Sequence, residues 1–287
     1  MIDETAAEIE DMQTHSSSVV AVKAARALGD LIDREFPTLD AYLKTLEQNS
    51  TILRNANLSH ASLHNTQREI VDHVRRSEPR TIPEAKAATE QAIERVIAAV
   101  EQSKRRAAAQ AAGELEDGAV ILTHDYSTTV LSALTRAIEE EAEFTVYVTE
   151  ARPRYLGRKM VRRLAAMDGV DPTLTVDSAS GAVLPEVDRV LVGMTCIVED
   201  TLYNRVGTYP IAATAADLDV PVTVVGSSAK IIDGGFSFEN EKRKASEVMR
   251  EPADGFAVAN PAYDATPTRL LDSVITDEGV TELVARD

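Results

Sequence analysis

The stretch that most constrains the fold is DRVLVGMTCIVEDTLYNRVGTYPIAATAADLDVPVTVVGSSAK, from Asp188 to Lys230. It holds two short apolar runs, Val190–Val192 and Val222–Val225, each closed by a glycine and separated by a segment of helical length. Runs this short, rich in β-branched residues, read as strands buried on both faces, and two of them around a helix make a βαβ unit. In open parallel sheets ligands gather beyond the carboxyl ends of the strands. Gly193–Glu199 and Gly226–Lys230 are therefore where chemistry or recognition is expected.

The same rhythm extends on both sides. Ala119–Leu122, Phe144–Val148, Leu174–Val176, Arg189–Val192, Val222–Val225 and Phe256–Val258 read as strands, with helices over Thr128–Glu141, Leu156–Met167 and Gly207–Leu218. Strands alternating with helices of this length imply right-handed crossovers and a mostly parallel sheet covered on both faces, a Rossmann-like doubly wound α/β domain. The first turn, LTHDYSTTV, lacks the G-x-G-x-x-G that close approach to a pyrophosphate requires, so dinucleotide binding is not expected.

Nothing before residue 113 reads as strand. Ser16-Ser17-Ser18 offers an N-cap to a helix that carries Leu28, Leu31, Ile32 and Phe36 and ends at Pro37. Thr38 caps a second, with Leu39, Tyr42, Leu43 and Leu46 on one face and Asn49-Ser50 closing it. A third covers Thr66–Val74, and a long fourth runs from Pro83 to Ala112 with Ile93, Val96, Ile97 and Val100 as its buried stripe. Its alanine-rich end, RRAAAQAAGEL, reads as exposed or connecting helix. The expected organisation is a helical domain over 1–112 and the Rossmann-like domain over 113–287.

Charge and cysteine content exclude several classes. A net charge of −17 argues against a general basic field for nucleic acid or an anionic membrane. Only eight of the 30 basic residues are lysine, a pattern that fits a protein solvated in a salt-rich, halophilic archaeal cytoplasm. At molar salt the Debye length is only about 3 Å, which screens the self-repulsion of such a chain. An acidic mesophilic protein with arginine-rich codon usage is the alternative. No apolar run approaches the length of a membrane span, and the acidic start MIDETAAEIEDMQ is unlike a secretory leader, so the cytoplasm is expected. The single cysteine, Cys196, excludes a disulfide framework, and the five histidines read as scattered, so neither a metal nor a cofactor is expected.

Three turns carry candidate chemistry. Ser127, at the start of the helix after the first strand, is either a helix cap or part of an anion site. In Glu150-Ala-Arg-Pro-Arg-Tyr-Leu-Gly157, Arg152 and Gly157 are placed to hold a phosphate, whereas Arg154, Arg158 and Lys159 read as solvated charges. In the opening stretch, Glu199 and Asp200 are candidate acid–base groups, Cys196 a candidate nucleophile or simply a small apolar residue, and Lys230 a candidate anion ligand.

In combination, THDYSTTV, VTEARPRYLGRKM, the Asp188–Lys230 stretch and NPAYDATPTRLLDSVITDEG, in this order and spacing, resemble the alpha/beta/delta regulatory subunits of translation initiation factor 2B. That family also contains two isomerases, of methylthioribose 1-phosphate and of ribose 1,5-bisphosphate. The resemblance spans about Gly118 to Gly279 strongly and the N-terminal helices in a general way. It implies a cysteine after the first strand and an aspartate after the glycine of the central strand in the isomerase members; here Asp125 and Thr195 stand there. The isomerases' N-terminal phosphate motifs are absent from QTHSSSVVAVKAARAL and NANLSHASLHNTQREI. Arg152, Gly157, Asn204 and Lys230 match the rest of the implied ligand pocket.

Losing a proton-transfer group costs about 10²–10⁴-fold in rate, so these replacements predict a non-catalytic regulatory protein that binds a phosphorylated sugar or nucleotide. The resemblance further implies a homodimer or larger homo-oligomer, with TYPIAATAADL either at the seam or against the sheet, and translation initiation factor 2 as partner. The alternative is a sugar-phosphate aldose–ketose isomerase of the ribose 1,5-bisphosphate type, with Asp125 or Asp200 as its acid–base group. A metabolic sensor unrelated to translation is a third reading.

Overall fold

The structure is a computed structural model that describes residues 2–11, 16–232, 238–251 and 254–283. Contacts divide the chain into two compact units, Met1–Ser103 and Lys104–Asp287. The division falls inside the longest helix, whereas the sequence places a boundary after it.

The first unit is helical throughout its described residues: α1 (Ile2–Glu10), α2 (Ser17–Leu28), α3 (Leu39–Asn55), α4 (Ala61–Arg76) and the greater part of α5 (Ile82–Gly113). Leu28, Leu31, Tyr42, Leu46, Leu53, Leu63, Ile70 and Val74 form its core with Ala85, Ala92 and Ile93 of α5. Thr38 caps α3 by accepting the Ala41 N–H at 3.1 Å. That helix runs past Asn49-Ser50. The Asn49 amide donates to the Thr45 carbonyl, the Ser50 hydroxyl donates to the Gln67 carbonyl, and Leu53 continues the buried stripe one heptad beyond Leu46. Three other boundaries also differ. α1 was not expected, α2 gives way to a 3₁₀ turn at Gly29–Leu31 well before Pro37, and α4 begins at Ala61 rather than Thr66.

The second unit contains β1 (Val120–His124), α6 (Thr128–Glu139), β2 (Phe144–Thr149), α7 (Gly157–Leu164), β3 (Val170–Thr175), α8 (Ser180–Val183), β4 (Arg189–Gly193), β5 (Cys196–Val198), β6 (Thr201–Arg205) and α9 (Thr208–Asp217). There follow β7 (Val222–Val225), β8 (Ile231–Ile232), α10 (Ala245–Val248), β9 (Tyr263–Pro267), β10 (Ser273–Thr276) and β11 (Gly279–Glu282). The main sheet has the order β11-β10-β7-β4-β1-β2-β3 and is parallel except for the β10–β11 pair. Successive residues point to opposite faces: Val190 and Val192 pack with Ile211, Ala212 and Ala215 of α9, and Leu191 packs with Val130, Leu134 and Met160 of α6 and α7. The β-branched runs of the opening stretch are thus buried on both sides, as their composition requires.

Three features depart from the sequence reading, and the placing of TYPIAATAADL falls on one of its two alternatives. The alanine-rich end of α5 is core, with Ala107, Ala108, Ala111 and Ala112 buried and three of them packed with Ala133 and Leu134, because small side chains let a helix lie close to its neighbours. The apolar stripe of TYPIAATAADL faces the sheet. Phe256–Val258 forms no strand, and Phe256 is exposed; the strands of that region are β9, β10 and β11. Finally, the segment after Gly193 is not a simple loop. It forms the β5–β6 hairpin, which joins β8 and β9 in a second sheet of order β8-β5-β6-β9.

In the main sheet the chain passes from β1 outward to β2 and β3, then crosses to β4 on the other side of β1. That reversal makes a crevice at the carboxyl ends of β1 and β4, and the β5–β6 hairpin leaves β4 at the same end.

Candidate functional site

Beyond the last residue of β1 the backbone turns through Asp125 at φ 67°, a left-handed conformation that aspartate tolerates better than most residues. Its Oδ2 accepts a hydrogen bond from Arg205 Nε at 3.1 Å, joining the end of β1 to the end of β6. The Arg205 side chain is only 5% exposed and that of Asp125 14%. Arg205 also donates to the Ala262 carbonyl at 3.4 Å and lies over the Tyr263 ring, 5.1 Å from its centroid. Burial pulls the guanidinium pKa down, but the charge and hydrogen bond of Asp125 together with Tyr263 and Glu241 outweigh it, and the net shift is upward. Burial pushes the Tyr263 phenol up to about 12, against the pull of Arg205. Asp125 Oδ1 has no hydrogen-bond partner among the described residues. The result is a carboxylate with one oxygen anchored on a buried cation and the other buried without a hydrogen-bond partner among the described residues.

The second turn, after β2, is built around another carboxylate. Asp177 accepts the backbone N–H of Ala151 at 2.8 Å and of Arg152 at 2.7 Å. The backbone donors that would cradle a phosphate here are thus engaged by the protein itself. Arg152 donates to the Val248 carbonyl at 3.1 Å, and its guanidinium and that of Arg158 lie 4.9 and 3.8 Å from the Tyr155 ring centroid. Arg158 also pairs with Glu150 at 2.6 Å while its side chain stays 44% exposed, and the exposed Lys159 lays its ammonium over the Tyr126 ring. Gly157 serves packing: a Cβ there would lie 1.8 Å from the Thr149 carbonyl oxygen, so only glycine lets α7 start against β2.

Of the two readings of Ser127, the structure forms the cap, with its hydroxyl accepting the Val130 N–H at 3.2 Å. Asn204 is buried and donates to Thr208 Oγ1, which in turn donates to the Arg205 carbonyl. Lys230 is buried as well, and its ammonium donates to the Met194 carbonyl at 2.9 Å. Burial pulls its pKa down to about 8, opposed by the Cys196 thiol. Burial pushes that thiol up to about 12, with Lys230 opposing, so Cys196 stays protonated at neutral pH and behaves as a small apolar residue rather than a nucleophile. Thr195, also buried, donates its N–H to the Tyr203 carbonyl.

Glu199 and Asp200 form the exposed turn of the β5–β6 hairpin, where the Asp200 carbonyl accepts the Thr268 N–H at 2.9 Å. Asp200 precedes β6 and Arg205 ends it, so at about 3.3 Å per residue they are separated by roughly 16–17 Å. The structure therefore does not bring Asp125 and Asp200 together as an acid–base pair.

Sequence reasoning missed Arg205, Asp177 and Asp264 as parts of the site. Asp264 Oδ2 accepts the N–H groups of Gly207 at 2.7 Å and Tyr209 at 3.0 Å, filling the N-terminus of α9. Its only sequence signal is its place in NPAYDATPTRLL, and for Arg205 the only signal is adjacency to Asn204. The histidines also need correction: His60 and His64 stand four apart at the start of α4, but no group of three or more His, Cys, Asp or Glu able to hold a metal occurs among the described residues. No described helix is long and apolar enough to cross a membrane.

A family model described as the initiation factor 2 subunit family matches residues 13–283. Curated relatives named ribose 1,5-bisphosphate isomerase include one from Haloterrigena turkmenica, 32% identical over 96% of this chain and 88% of the relative. Another from Haloferax volcanii is 30% identical over 96% of this chain and 87% of the relative. Among solved structures, translation initiation factor eIF-2B of Pyrococcus horikoshii superposes with a TM-score of 0.84 at 24% identity, covering 98% of this chain and 96% of that one. The 5-methylthioribose 1-phosphate isomerase of the same organism gives 0.83 at 24% identity, covering 98% and 84%. At these identities the structural likeness establishes the fold.

These relatives correct the expectation of a non-catalytic regulator. That expectation treated the replacement of a thiol by Asp125 as the loss of a proton-transfer group. A carboxylate is itself such a group, and in this structure it is anchored on Arg205.

Proposed function

The chain belongs to the initiation factor 2 subunit family, and within it we propose that it is a sugar-phosphate aldose–ketose isomerase of the ribose 1,5-bisphosphate type. The observation that carries this reading is the run of curated ribose 1,5-bisphosphate isomerases, 28–32% identical over at least 96% of the chain. The reaction breaks the bond between C1 and the ring oxygen, moves the C2 hydrogen to C1 and the C2 hydroxyl proton to the freed ring oxygen, and leaves a ketone at C2. In this reading Asp125 takes the C2 proton through Oδ1 and returns a proton to C1, while Oδ2 stays on Arg205. The buried Arg205 guanidinium holds the carboxylate in place through Oδ2. Arg152 is the cation placed for a substrate phosphate, at the price of its contacts with Val248 and Tyr155. Assembly as a homo-oligomer accompanies the proposal; the eIF2B beta2-delta2 complex of C. thermophilum, alike in fold, is a tetramer of two kinds of subunit.

The test is incubation with ribose 1,5-bisphosphate, and separately with 5-methylthioribose 1-phosphate, followed by detection of the 2-ketose product. Molar KCl is the appropriate medium for a chain of net charge −17. Conversion of the bisphosphate alone supports the reading; conversion of the methylthio sugar alone moves the substrate class, and no ketose from either overturns it.

A further inference from the structure

The residue before Asp125 in the chain is also held on two sides. His124 is 1% exposed at the carboxyl end of β1, directly opposite Thr149 of β2 in the parallel register. Its Nε2 lies 2.9 Å from the Val206 carbonyl oxygen and its Nδ1 2.6 Å from Thr149 Oγ1. A carbonyl can only accept, so Nε2 carries a proton and donates it to Val206, while Nδ1 shares a hydrogen bond with the Thr149 hydroxyl. Asp177 Oδ1, 3.8 Å from Nδ1, is the acidic group facing the ring. Gly207, at φ 109°, closes against the imidazole, where a Cβ would come within 2.7 Å of Cε1. The chain following β6 is therefore shaped to receive this ring.

Val206 adjoins Arg205, and His124 adjoins Asp125. The two strand ends are thus tied by two neighbouring bonds of opposite sense: His124 donates from β1 to the chain after β6, and Arg205 donates from β6 to the chain after β1. Asp125 sits in a left-handed turn whose position a single ion pair would leave free to pivot.

We propose that His124 is a positioning residue for Asp125: its Nε2–H bond to Val206 fixes the separation of the β1 and β6 ends, and through it the Asp125–Arg205 contact. The inference rests on the isomerase reading for its effect on turnover, and on geometry alone for its effect on the ion pair. The imidazole neither touches the reacting carbons nor transfers their proton.

The experiment compares His124→Gln with His124→Asn. Glutamine places an amide N–H near the position of Nε2; asparagine is too short to reach the Val206 carbonyl. Two readouts are taken on the full chain: isomerase kinetics, and the solvent-exchange rate of the Arg205 Nε–H by NMR. The expected result is a fall in kcat of about 10–100-fold for His124→Asn at unchanged KM, with recovery to within a few-fold in His124→Gln. The Arg205 Nε–H should exchange at least about tenfold faster in His124→Asn and near the wild-type rate in His124→Gln. Equal behaviour of the two variants in the exchange measurement, folded or not, overturns the positioning role. Absence of ketose from the wild-type chain with the predicted exchange pattern overturns the isomerase reading and leaves the clamp standing.

Discussion

Lys230→Met tests whether the lysine of the opening stretch is a structural group or a ligand donor. The side chain is 6% exposed and donates to one carbonyl, and burial holds its pKa near 8. An ordinary lysine in the unfolded chain titrates near 10.4, so the native state binds fewer protons than the unfolded state between about pH 8 and pH 10.4. The charged form is therefore disfavoured in the native state at pH 7, by about 3 kcal/mol at 1.36 kcal/mol per unit. The methionine replacement removes that penalty but strands the Met194 carbonyl, at a cost of about 1–2 kcal/mol. The expected net gain is about 1–2 kcal/mol at pH 7. Its pH dependence is the firmer result. Wild-type stability rises with pH through this window, so the advantage of the methionine variant should shrink by about 1.3 kcal/mol between pH 7 and pH 9. Denaturant unfolding of both proteins at the two pH values, in the same salt, measures it. A difference independent of pH would refute a depressed lysine.

Other perturbations probe the rest of the site. Asp125→Asn leaves Arg205 buried without its counter-charge, which should cost about 3–5 kcal/mol of stability in addition to turnover, read as a lower midpoint of denaturation. Gly157→Ala should lower the melting temperature by several degrees, because its methyl group meets the Thr149 carbonyl backbone at 1.8 Å and something must shift. Cys196, fully buried and with its thiol held up to about 12, should resist a thiol reagent at pH 8 in the folded protein and react promptly in denaturant.

The main sheet was legible because its strands leave a compositional trace. Val190–Val192 and Val222–Val225 are buried on both faces and can be little else but β-branched and aliphatic. The second sheet left a weaker trace. β5 is three residues long, and β6 reads TLYNR, whose asparagine and arginine are satisfied by Thr208 and Asp125 rather than by water. Helix ends failed where side chains overrode local propensity, as when Ser50 bonds across to α4 instead of ending α3. The site was legible only at single positions. Asp125 could be found from its motif, but its partner Arg205 is 80 residues away, and no periodicity joins them. Likewise Asp177 and Asp264 carry no motif of their own, yet they occupy the backbone donors of the second turn and of α9. Lys230 looked like an anion ligand because a lysine after a strand-ending turn often is one; the sequence does not reveal that its ammonium turns inward to Met194.

The central claim is that Asp125, anchored on Arg205, performs the proton transfer of a ribose bisphosphate isomerase. Its most direct test is single-turnover conversion of ribose 1,5-bisphosphate by the wild-type chain and by Asp125→Asn at equal concentrations of folded protein, with substrate binding followed by thermal shift. The expected results are ketose from the wild type, a rate about 10²–10⁴-fold lower in the variant, and a ligand-induced shift in both. No ketose from the wild type, or equal rates in the two proteins, would contradict the claim.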